Sequence, residues 1–263
     1  MIVGGETRAL ITGASRGIGR ALALELDRRG AQLGLIARGR EGLEALAGDL
    51  NGDPLLLPAD VAERAEVEAA VAAFTEAGGA PDLVVANAGL AHYGPFADMP
   101  AELLEEMVRV NVLGSVLTVK AGLDAMLLRG RGHIVVVASG AALRAFPGAA
   151  VYGGTKAADA GFAEALRHEL SGTGISLTTV YPGEVATDLH SHQPERLPDW
   201  RRGDEAITPE RVAEETIAAV EADERAVYVP GAVRLLGLNG IAPRLVDRLV
   251  RRLRGPSAAP RRD

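Results

Sequence analysis

Cysteine is absent from the 263 residues, and aromatic residues make up only 3% of them. Without cysteine the chain has no disulfide bond, no thiolate metal ligand and no cysteine nucleophile, and it suits a reducing compartment. We therefore expect a cytoplasmic protein. Because aromatic side chains are few, valine, leucine, isoleucine and alanine must supply the core. That composition favours a parallel sheet buried on both faces.

Long hydrophobic segments and a secretion signal are also missing. The first eight residues contain neither a long apolar stretch nor a cleavage-like site, so we do not expect secretion. No apolar run approaches the roughly 20 residues that a membrane-spanning helix needs. The net charge of −7 argues against a general nucleic-acid binder. The sequence thus predicts neither a transmembrane segment nor a nucleic-acid partner.

Strand-like and helix-like segments alternate along the chain, without a repeat or a long linker. This alternation predicts right-handed crossovers and a single α/β domain, with a Rossmann-type, doubly wound parallel sheet of about seven strands and helices on both faces. We expect the domain over residues 1–232 and a C-terminal extension of it over residues 233–263. The predicted strands are Thr7–Thr12, Gln32–Ala37, Leu55–Leu57, Asp82–Ala86, Ile134–Ala138, Ile175–Val180 and Ala226–Val229, and the predicted helices are Gly17–Arg29, Glu63–Ala77, Ala101–Leu128 (one helix or two in series), Val151–Leu170 and Pro209–Ala222.

A glycine-rich turn lies between the first predicted strand and the first predicted helix. It reads Thr12-Gly13-Ala14-Ser15-Arg16-Gly17-Ile18-Gly19. Glycines let the backbone turn tightly and approach a pyrophosphate, and the helix N-terminus offers free N–H groups and a positive dipole end. A glycine cluster alone is weak evidence, but its position between a strand and a helix favours a dinucleotide site over a simple tight turn.

The spacing Gly-x-x-x-Gly-x-Gly resembles that of the short-chain dehydrogenase/reductase family, and four further features follow in the order typical of that family. They are Asn87-Ala88-Gly89 after the fourth strand, Asn111 in the next helix, Ser139 after the fifth strand, and Tyr152-x-x-x-Lys156. The resemblance extends from about Thr7 to Thr187. It implies an oxidoreductase that transfers a hydride between a nicotinamide cofactor and a carbonyl or alcohol substrate, such as a ketone, an aldehyde or a 3-oxoacyl compound.

The end of the second strand favours NADP(H) over NAD(H). NAD sites usually carry an acidic residue there to bind the ribose 2′-hydroxyl, whereas this chain has Ala37 followed by Arg38. A guanidinium binds a 2′-phosphate through two parallel hydrogen bonds, and Arg16 could approach the same phosphate. The alternative is that both arginines are solvated surface residues. The resemblance implies cofactor contacts from Gly13, Ser15, Gly17, Ile18, Gly19, Asp60, Val61, Asn87, Ala88, Gly89, Tyr152, Lys156, Pro182, Gly183, Val185 and Thr187.

Tyr152 and Lys156 lie four residues apart on a predicted helix, so they share one face. A free tyrosine has a pKa near ~10, and a nearby ammonium favours the phenolate. The resemblance implies that Tyr152 is the acid in reduction and the base in oxidation, and that Lys156 holds the nicotinamide ribose. It also implies that Ser139 hydrogen-bonds the carbonyl oxygen and that Asn111 supports a water-linked proton path. Gly153-Gly154 departs from the serine and alanine that are more usual in the family at these positions. The two glycines either soften the helical turn that carries Tyr152 or allow something bulky to approach it.

The substrate region is expected to be apolar and to carry a lid. Leu143 and Phe146 are expected to form one wall, and Ala91, His92 and Tyr93 another. The polar segment 188–207, which contains Trp200, follows the nicotinamide segment and is placed to act as a lid. We expect no metal site, since His190-x-His192 in a polar loop is a weak ligand pattern.

The C-terminal segment is basic and amphipathic. Residues 234–263 contain eight arginines and two aspartates, a net charge of +6, so the rest of the chain carries −13. After Pro243 the predicted helix has an apolar stripe, and arginines occupy much of the rest of its surface. Such a helix permits a weak membrane-surface contact. The alternatives are a helix over the substrate cleft or one packed on another subunit. The family resemblance implies a homodimer or a homotetramer that pairs through the helices carrying Asn111 and Tyr152.

Three functions remain open at this point. The first is an NADPH-dependent carbonyl reductase. The second is an NAD-linked alcohol dehydrogenase with the same fold. The third is a non-catalytic protein that binds NADP as a signal, which has little need for the complete set of Ser139, Tyr152 and Lys156.

Overall fold

A computed structural model describes residues 1–187, 206–240 and 242–244. The predicted lid, apart from residues 206 and 207, lies outside the described residues. So do His190, His192, Trp200 and the predicted C-terminal helix beyond Arg244. Those predictions remain predictions.

Seven parallel strands form one sheet in the order β3-β2-β1-β4-β5-β6-β7. The order reverses between β1 and β4, which are neighbours in the sheet. This confirms the predicted doubly wound architecture, with strand ends within two residues of those predicted. The strands are β1 Arg8–Thr12, β2 Gln32–Ala37, β3 Leu55–Pro58, β4 Leu83–Ala86, β5 Gly132–Val137, β6 Ile175–Pro182 and β7 Ala226–Val229.

Helices cover both faces of the sheet. Alternate strand residues point to opposite faces, so Leu10 belongs to one apolar core and Ile11 to the other. The first core is closed by α3, α5 and α7, and the second by α1, α2 and α8. The helices are α1 Gly17–Arg28, α2 Arg40–Ala47, α3 Arg64–Gly78, α4 Ala101–Met107, α5 Gly114–Arg129, α6 Gly140–Leu143, α7 Ala150–Glu169 and α8 Pro209–Glu221.

The long helical segment after β4 is continuous but not uniform. A π-helical stretch, Val108–Leu113, joins α4 to α5 and contains Asn111. Ala101–Arg129 as a whole is long and apolar enough to cross a membrane by length and composition alone. It packs against α3, α7 and β4, which is the position of a core helix in a globular domain.

Four elements of the described residues were not expected from the sequence. They are α2, the single-turn α6, and two 3-10 helices, over Phe96–Asp98 and over Gly231–Gly240. The last of these packs against α6 and β7, at the carboxyl ends of the strands. Its residues Ala232, Val233 and Leu236 belong to the wall of the site, and the predicted domain bounds remain predictions.

Candidate active site

A cavity of about 780 Å³ opens at the carboxyl ends of the strands, where the strand order reverses. Ligands of doubly wound sheets bind at this position. Of the residues that the sequence assigned to the cofactor or to catalysis, all except Gly19 and Asn111 line this cavity. The fold therefore gathers motifs that are spread over about 170 residues of sequence into one place.

The glycine turn, which lies between β1 and α1, forms part of the cavity wall. Gly13 has a φ of +66°, and a Cβ there would lie 2.8 Å from the Cα of Ala88. At Gly19 a Cβ would meet the carbonyl oxygen of Gly13 at 2.2 Å. Only glycine fits both positions, because side chains rarely adopt the first conformation and clash in the second. The turn thereby brings its backbone and the N-terminus of α1 to the cavity surface.

Asn87 ties the glycine turn to the end of β4. Its Nδ2 donates to the carbonyl oxygens of Thr12 at 2.9 Å and Gly13 at 3.3 Å. Its backbone N–H donates to the hydroxyl of Thr12 at 3.1 Å. The side chain is thus engaged in fixing the cavity floor, while Ala88 and Gly89 continue that floor.

The end of β2 carries an exposed cation beside a carboxylate. Arg38 lines the cavity, and its side chain is 61% exposed. Its Nη1 lies 3.8 Å from Oε1 of Glu106 on α4, whose Oε2 lies 3.1 Å from His92 Nε2. Arg16 lines the same cavity from the glycine turn. Both arginines therefore line the same cavity, and Glu106 is a partner of Arg38 that the sequence did not indicate.

Two further groups of residues that the sequence predicts to contact the cofactor also line the cavity. Asp60 and Val61 follow β3, and the Asp60 carboxylate accepts a hydrogen bond from the Ala62 backbone at 2.9 Å. The segment after β6 contributes the lining residues Pro182, Gly183, Val185 and Thr187. Thr187 approaches the glycine turn, since a Cβ on Gly17 would lie 3.2 Å from its Cγ2.

Tyr152 and Lys156 occupy one face of α7 and both line the cavity. Tyr152 is 9% exposed and Lys156 is 5% exposed. Lys156 Nζ donates to the carbonyl oxygen of Val137 at 2.9 Å and to the carboxylate of Asp159 at 3.0 Å. The ammonium therefore reaches the end of β5, one residue before the segment that carries Ser139.

Ser139 is the N-cap of α6. Its Oγ accepts a hydrogen bond from the Ala141 backbone at 3.1 Å, and Ser139 itself lines the cavity. A serine hydroxyl can accept and donate at once, so its proton can still be offered to an oxygen in the cavity. The capping bond fixes the position of the hydroxyl, as expected for serine at an N-cap.

Asn111 lies behind the cavity, fully buried, rather than at its surface. Its Oδ1 accepts from the backbone N–H of Leu90 at 2.8 Å, and its Nδ2 donates to the Leu90 carbonyl and to the Thr155 hydroxyl at 2.9 Å each. The Thr155 hydroxyl donates in turn to the carbonyl oxygen of Tyr152 at 2.8 Å. Asn111 therefore links the cavity floor to the helix that carries Tyr152.

The substrate end of the cavity differs in part from the expectation. Phe146 and Tyr93 line it as expected, but Leu143, Ala91 and His92 are not among the described lining residues. The 3-10 helix instead contributes Ala232, Val233 and Leu236. Its apolar residues carry no motif, so no signal in the sequence points to them beyond their position after β7.

Neither Gly153 nor Gly154 is required by close approach within the described chain. A Cβ on Gly153 would lie 3.5 Å from its nearest neighbour, the Ala141 carbonyl oxygen, which is an ordinary contact. A Cβ on Gly154 would have no atom within 4 Å. Of the two explanations left open by the sequence, close approach of another part of the described chain is thus not supported.

Comparison with known proteins gives concordant results. The family model described as short chain dehydrogenase matches residues 7–197. A human 3-oxoacyl-[acyl-carrier-protein] reductase is 35% identical over 199 residues, which are 74% of this chain and 84% of that protein. A glycine betaine reductase of Emericella nidulans is 36% identical over 223 residues, which are 82% of this chain but 18% of that protein. The crystal structure of a single-substitution variant of actinorhodin polyketide ketoreductase with NADPH superposes with a TM-score of 0.79 and 32% identity, and the match covers 88% of this chain and 97% of that one.

Proposed function

The chain belongs to the short-chain dehydrogenase family, and on that premise we propose that this oxidoreductase is an NADPH-dependent carbonyl reductase. Its substrate is an apolar ketone, an aldehyde or a 3-oxoacyl-type compound, and Tyr152 is the proton donor. One observation carries the proposal: the glycine turn, Arg38, Ser139, Tyr152 and Lys156 all line the same cavity. A non-catalytic nucleotide sensor has little need for that combination.

The cofactor side of the cavity suits a dinucleotide phosphate. The glycine turn and the N-terminus of α1 offer backbone N–H groups to the pyrophosphate. Arg38 and Arg16 are the residues that would hold the 2′-phosphate, because a carboxylate is missing at the end of β2. Asp60 and Val61 would contact the adenine. Related reductases solved with NADPH and with NADH support a nicotinamide dinucleotide of either kind.

The segment after β6 and Lys156 would contact the nicotinamide end of the cofactor. Val185 and Thr187 would contact the carboxamide through backbone and hydroxyl groups, and Pro182 and Gly183 would bound the ring. When bound, the reduced nicotinamide supplies the hydride that forms the new C–H bond. Lys156 would hydrogen-bond the ribose through the N–H that its two observed acceptors leave unused.

Tyr152 and Ser139 act on the carbonyl oxygen. The Ser139 hydroxyl donates a hydrogen bond to this oxygen, and the Tyr152 hydroxyl transfers its proton to it as the C=O bond becomes a C–O–H group. The resulting phenolate is stabilised by the Lys156 ammonium. In the reverse direction the phenolate takes the proton of the alcohol. Asn111 contributes by fixing the position of the Tyr152 helix.

The substrate side favours an apolar molecule. The residues that line the cavity include the apolar or aromatic side chains of Leu90, Tyr93, Phe146, Val233 and Leu236. Apolar walls with a few convergent polar groups are typical of small-molecule sites. The similarity to 3-oxoacyl and polyketide ketoreductases supports a ketone within an apolar or acyl chain.

An NAD-linked alcohol dehydrogenase is the second candidate, and one observation favours it. Glu106 lies 3.8 Å from Arg38 and would repel a 2′-phosphate while it attracts the guanidinium. The two candidates differ in the nucleotide that they bind. Calorimetric titration of the full chain with NADPH and NADH, followed by turnover on a panel of ketones, aldehydes and alcohols in both directions, separates them. Tighter binding of NADPH with carbonyl reduction supports the first candidate, tighter NADH binding with alcohol oxidation supports the second, and no binding of either nucleotide contradicts both.

We also propose that the protein is a cytoplasmic homo-oligomer that pairs through α4, α5 and α7. Exposed apolar side chains on the helix that includes Asn111, namely Val108 at 48% and Leu113 at 42%, support such a contact. Light scattering on the eluting protein measures whether the assembly is a dimer or a tetramer, and a monomer contradicts the proposal. The lack of cysteine supports the reducing compartment.

A further inference from the structure

An aromatic ring that belongs to no motif lies directly beside the candidate proton donor. Tyr93, in the loop between β4 and α4, is 4% exposed and lines the cavity. Its ring centroid lies 6.0 Å from that of Tyr152, and the two ring planes are inclined by 57°. Aromatic rings attract one another in such tilted arrangements, at centroid separations of roughly 4.5–7 Å. The cavity wall next to the Tyr152 ring is therefore aromatic.

A second aromatic side chain lines the cavity from another loop. Phe146, between α6 and α7, packs against the core cluster that contains Tyr93 and Tyr152. The loops that carry Tyr93 and Phe146 are joined, because the backbone N–H of Gly94 donates to the carbonyl oxygen of Gly148 at 2.9 Å. The fold thus brings three aromatic rings, from two adjoining loops and from α7, to one cavity.

Aromatic side chains are not the usual filling of this protein. They make up 3% of the sequence, and the described core consists almost entirely of aliphatic side chains. Among the described residues the buried aromatic side chains are Phe74, Tyr93 and Tyr152, and two of these three line the cavity. Aliphatic side chains can also form a wall there, as Val233 and Leu236 do in the same lining. The rings at the cavity are therefore better explained by recognition of a ligand than by packing alone.

We propose that the cavity takes carbonyl compounds with an aromatic ring attached to the carbonyl carbon, and that Tyr93 and Phe146 are the specificity-determining residues for this ring. The proposal names a substrate class for the proposed function and rests on that function in taking Tyr152 as the proton donor. A hydroxyl that holds the carbonyl oxygen at about 2.8 Å brings the substituents of the carbonyl carbon beside the tyrosine, within reach of the Tyr93 ring. A planar aryl group gains a ring–ring attraction there that a saturated ring of the same size lacks.

The expected size of the effect follows from aromatic pairing. Phenyl and cyclohexyl groups have similar apolar areas, so the hydrophobic contribution to binding is nearly the same for both. Each contact between an aryl group and an aromatic side chain adds a factor of about 2 to 10 in favour of the phenyl compound. Phenyl and cyclohexyl ketones also differ in intrinsic reactivity. That difference cancels when the phenyl-to-cyclohexyl ratio of a variant is divided by the same ratio of the wild type.

The test compares acetophenone with cyclohexyl methyl ketone as substrates of the full chain, in one series with NADPH and in a second with NADH. The ratio of kcat/KM for the two ketones is measured in the wild type, Tyr93→Leu and Phe146→Leu. We expect this ratio to fall by about 2- to 10-fold in each variant. A general loss of activity cancels in the ratio, because both ketones use the same catalytic groups. A ratio that is unchanged or higher in both variants overturns the proposal.

Two further variants make the result specific. Tyr93→Phe keeps the ring and is expected to keep the wild-type ratio. Phe96→Leu removes a ring that is 64% exposed and does not belong to the described cavity lining, and it is also expected to keep the ratio. If Tyr93→Leu does not fold, Phe146→Leu carries the same expectation from a half-buried position. A fall of the ratio in Phe96→Leu as large as that in Phe146→Leu overturns the assignment.

A binding measurement separates this inference from the proposed function. The dissociation constants of 1-phenylethanol and 1-cyclohexylethanol are measured by ligand-observed nuclear magnetic resonance with NADPH present, so that no turnover is needed. We expect the phenyl alcohol to bind about 2- to 10-fold more tightly for each ring it contacts, and Phe146→Leu to reduce this preference. That result in a protein that reduces no carbonyl compound contradicts only the proposed function. Equal or weaker binding of the phenyl alcohol overturns the inference even if ketones are reduced.

Discussion

Replacing Asn111 by alanine should destabilise the fold as well as impair catalysis. The side chain makes three hydrogen bonds inside the protein, and all three lie at buried atoms. Two of them go to the backbone of Leu90, which follows the cavity floor, and the third goes to Thr155 on α7. In the Asn111→Ala variant the N–H and C=O groups of Leu90 lose these partners, while the Thr155 hydroxyl still donates to Tyr152.

The expected loss follows from the two orphaned backbone groups. A buried donor or acceptor left unsatisfied costs about 1–3 kcal/mol. Two such groups give about 2–6 kcal/mol, with a small additional term for the cavity that the shorter side chain leaves. That is a large fraction of the roughly 5–15 kcal/mol by which domains are stable. Released from this link, α7 is also free to shift Tyr152 relative to the cavity floor.

The free energy of unfolding is measured by equilibrium denaturation followed by circular dichroism, in the wild type and the variant. We expect the midpoint to fall with little change in slope. Asn51→Ala is the matched control, since its side chain donates one hydrogen bond to Asp27 at 2.8 Å from a more exposed position, and it should cost less than about 1 kcal/mol. A loss in Asn111→Ala no larger than that of Asn51→Ala would refute the reasoning.

The remaining predictions concern cofactor choice, pH and helix propensity. Arg38→Ala should weaken NADPH binding about 10- to 100-fold and leave NADH binding unchanged, whereas Glu106→Gln should strengthen NADPH binding up to about 5-fold. Calorimetric titration measures both effects. Equal effects on NADPH and NADH would contradict the assignment of Arg38 to the 2′-phosphate. Because burial lowers the pKa of His133 from 6.5 to about 4, the unfolded chain takes up a proton in this interval that the folded chain does not. Stability should therefore decrease as the pH falls from 6.5 to about 4, by up to about 3 kcal/mol, and His133→Gln should remove this part of the pH dependence in denaturant titrations. Gly154→Ala should raise the free energy of unfolding by about 0.5–1 kcal/mol, since the added methyl group meets no atom of the described residues within 4 Å, and a loss of stability in denaturant titrations would contradict this prediction.

The fold could be predicted because its signals are local and repeated. Strands such as β5 are nearly continuous runs of β-branched residues, and the glycine turn marks the junction of β1 and α1. The elements that escaped prediction carry weaker signals. Helix α2 has eight residues, and the 3-10 helix over Gly231–Gly240 has no polar–apolar period typical of an α-helix and reaches the site only through the tertiary fold.

The candidate site was predictable to the extent that it consists of motifs. Ordered motifs brought nearly all of the predicted residues to one cavity. Glu106 could not be found in the same way, because a charged residue on a helix is usually solvated. Its contact with Arg38 arises from the tertiary fold, which brings α4 beside the residue that follows β2, and a single sequence does not encode that proximity in any local pattern.

The most direct measurement of the central claim is the rate of NADPH oxidation with a carbonyl substrate in the wild type and in Tyr152→Phe. Tyr228→Phe is the matched control, because Tyr228 stacks on Tyr181 at 5.0 Å and does not belong to the described cavity lining. The account predicts that kcat falls by about 100-fold or more in Tyr152→Phe, while NADPH binding and the control rate persist. Turnover in Tyr152→Phe within a few-fold of the wild-type rate would contradict the assignment of Tyr152 as the proton donor.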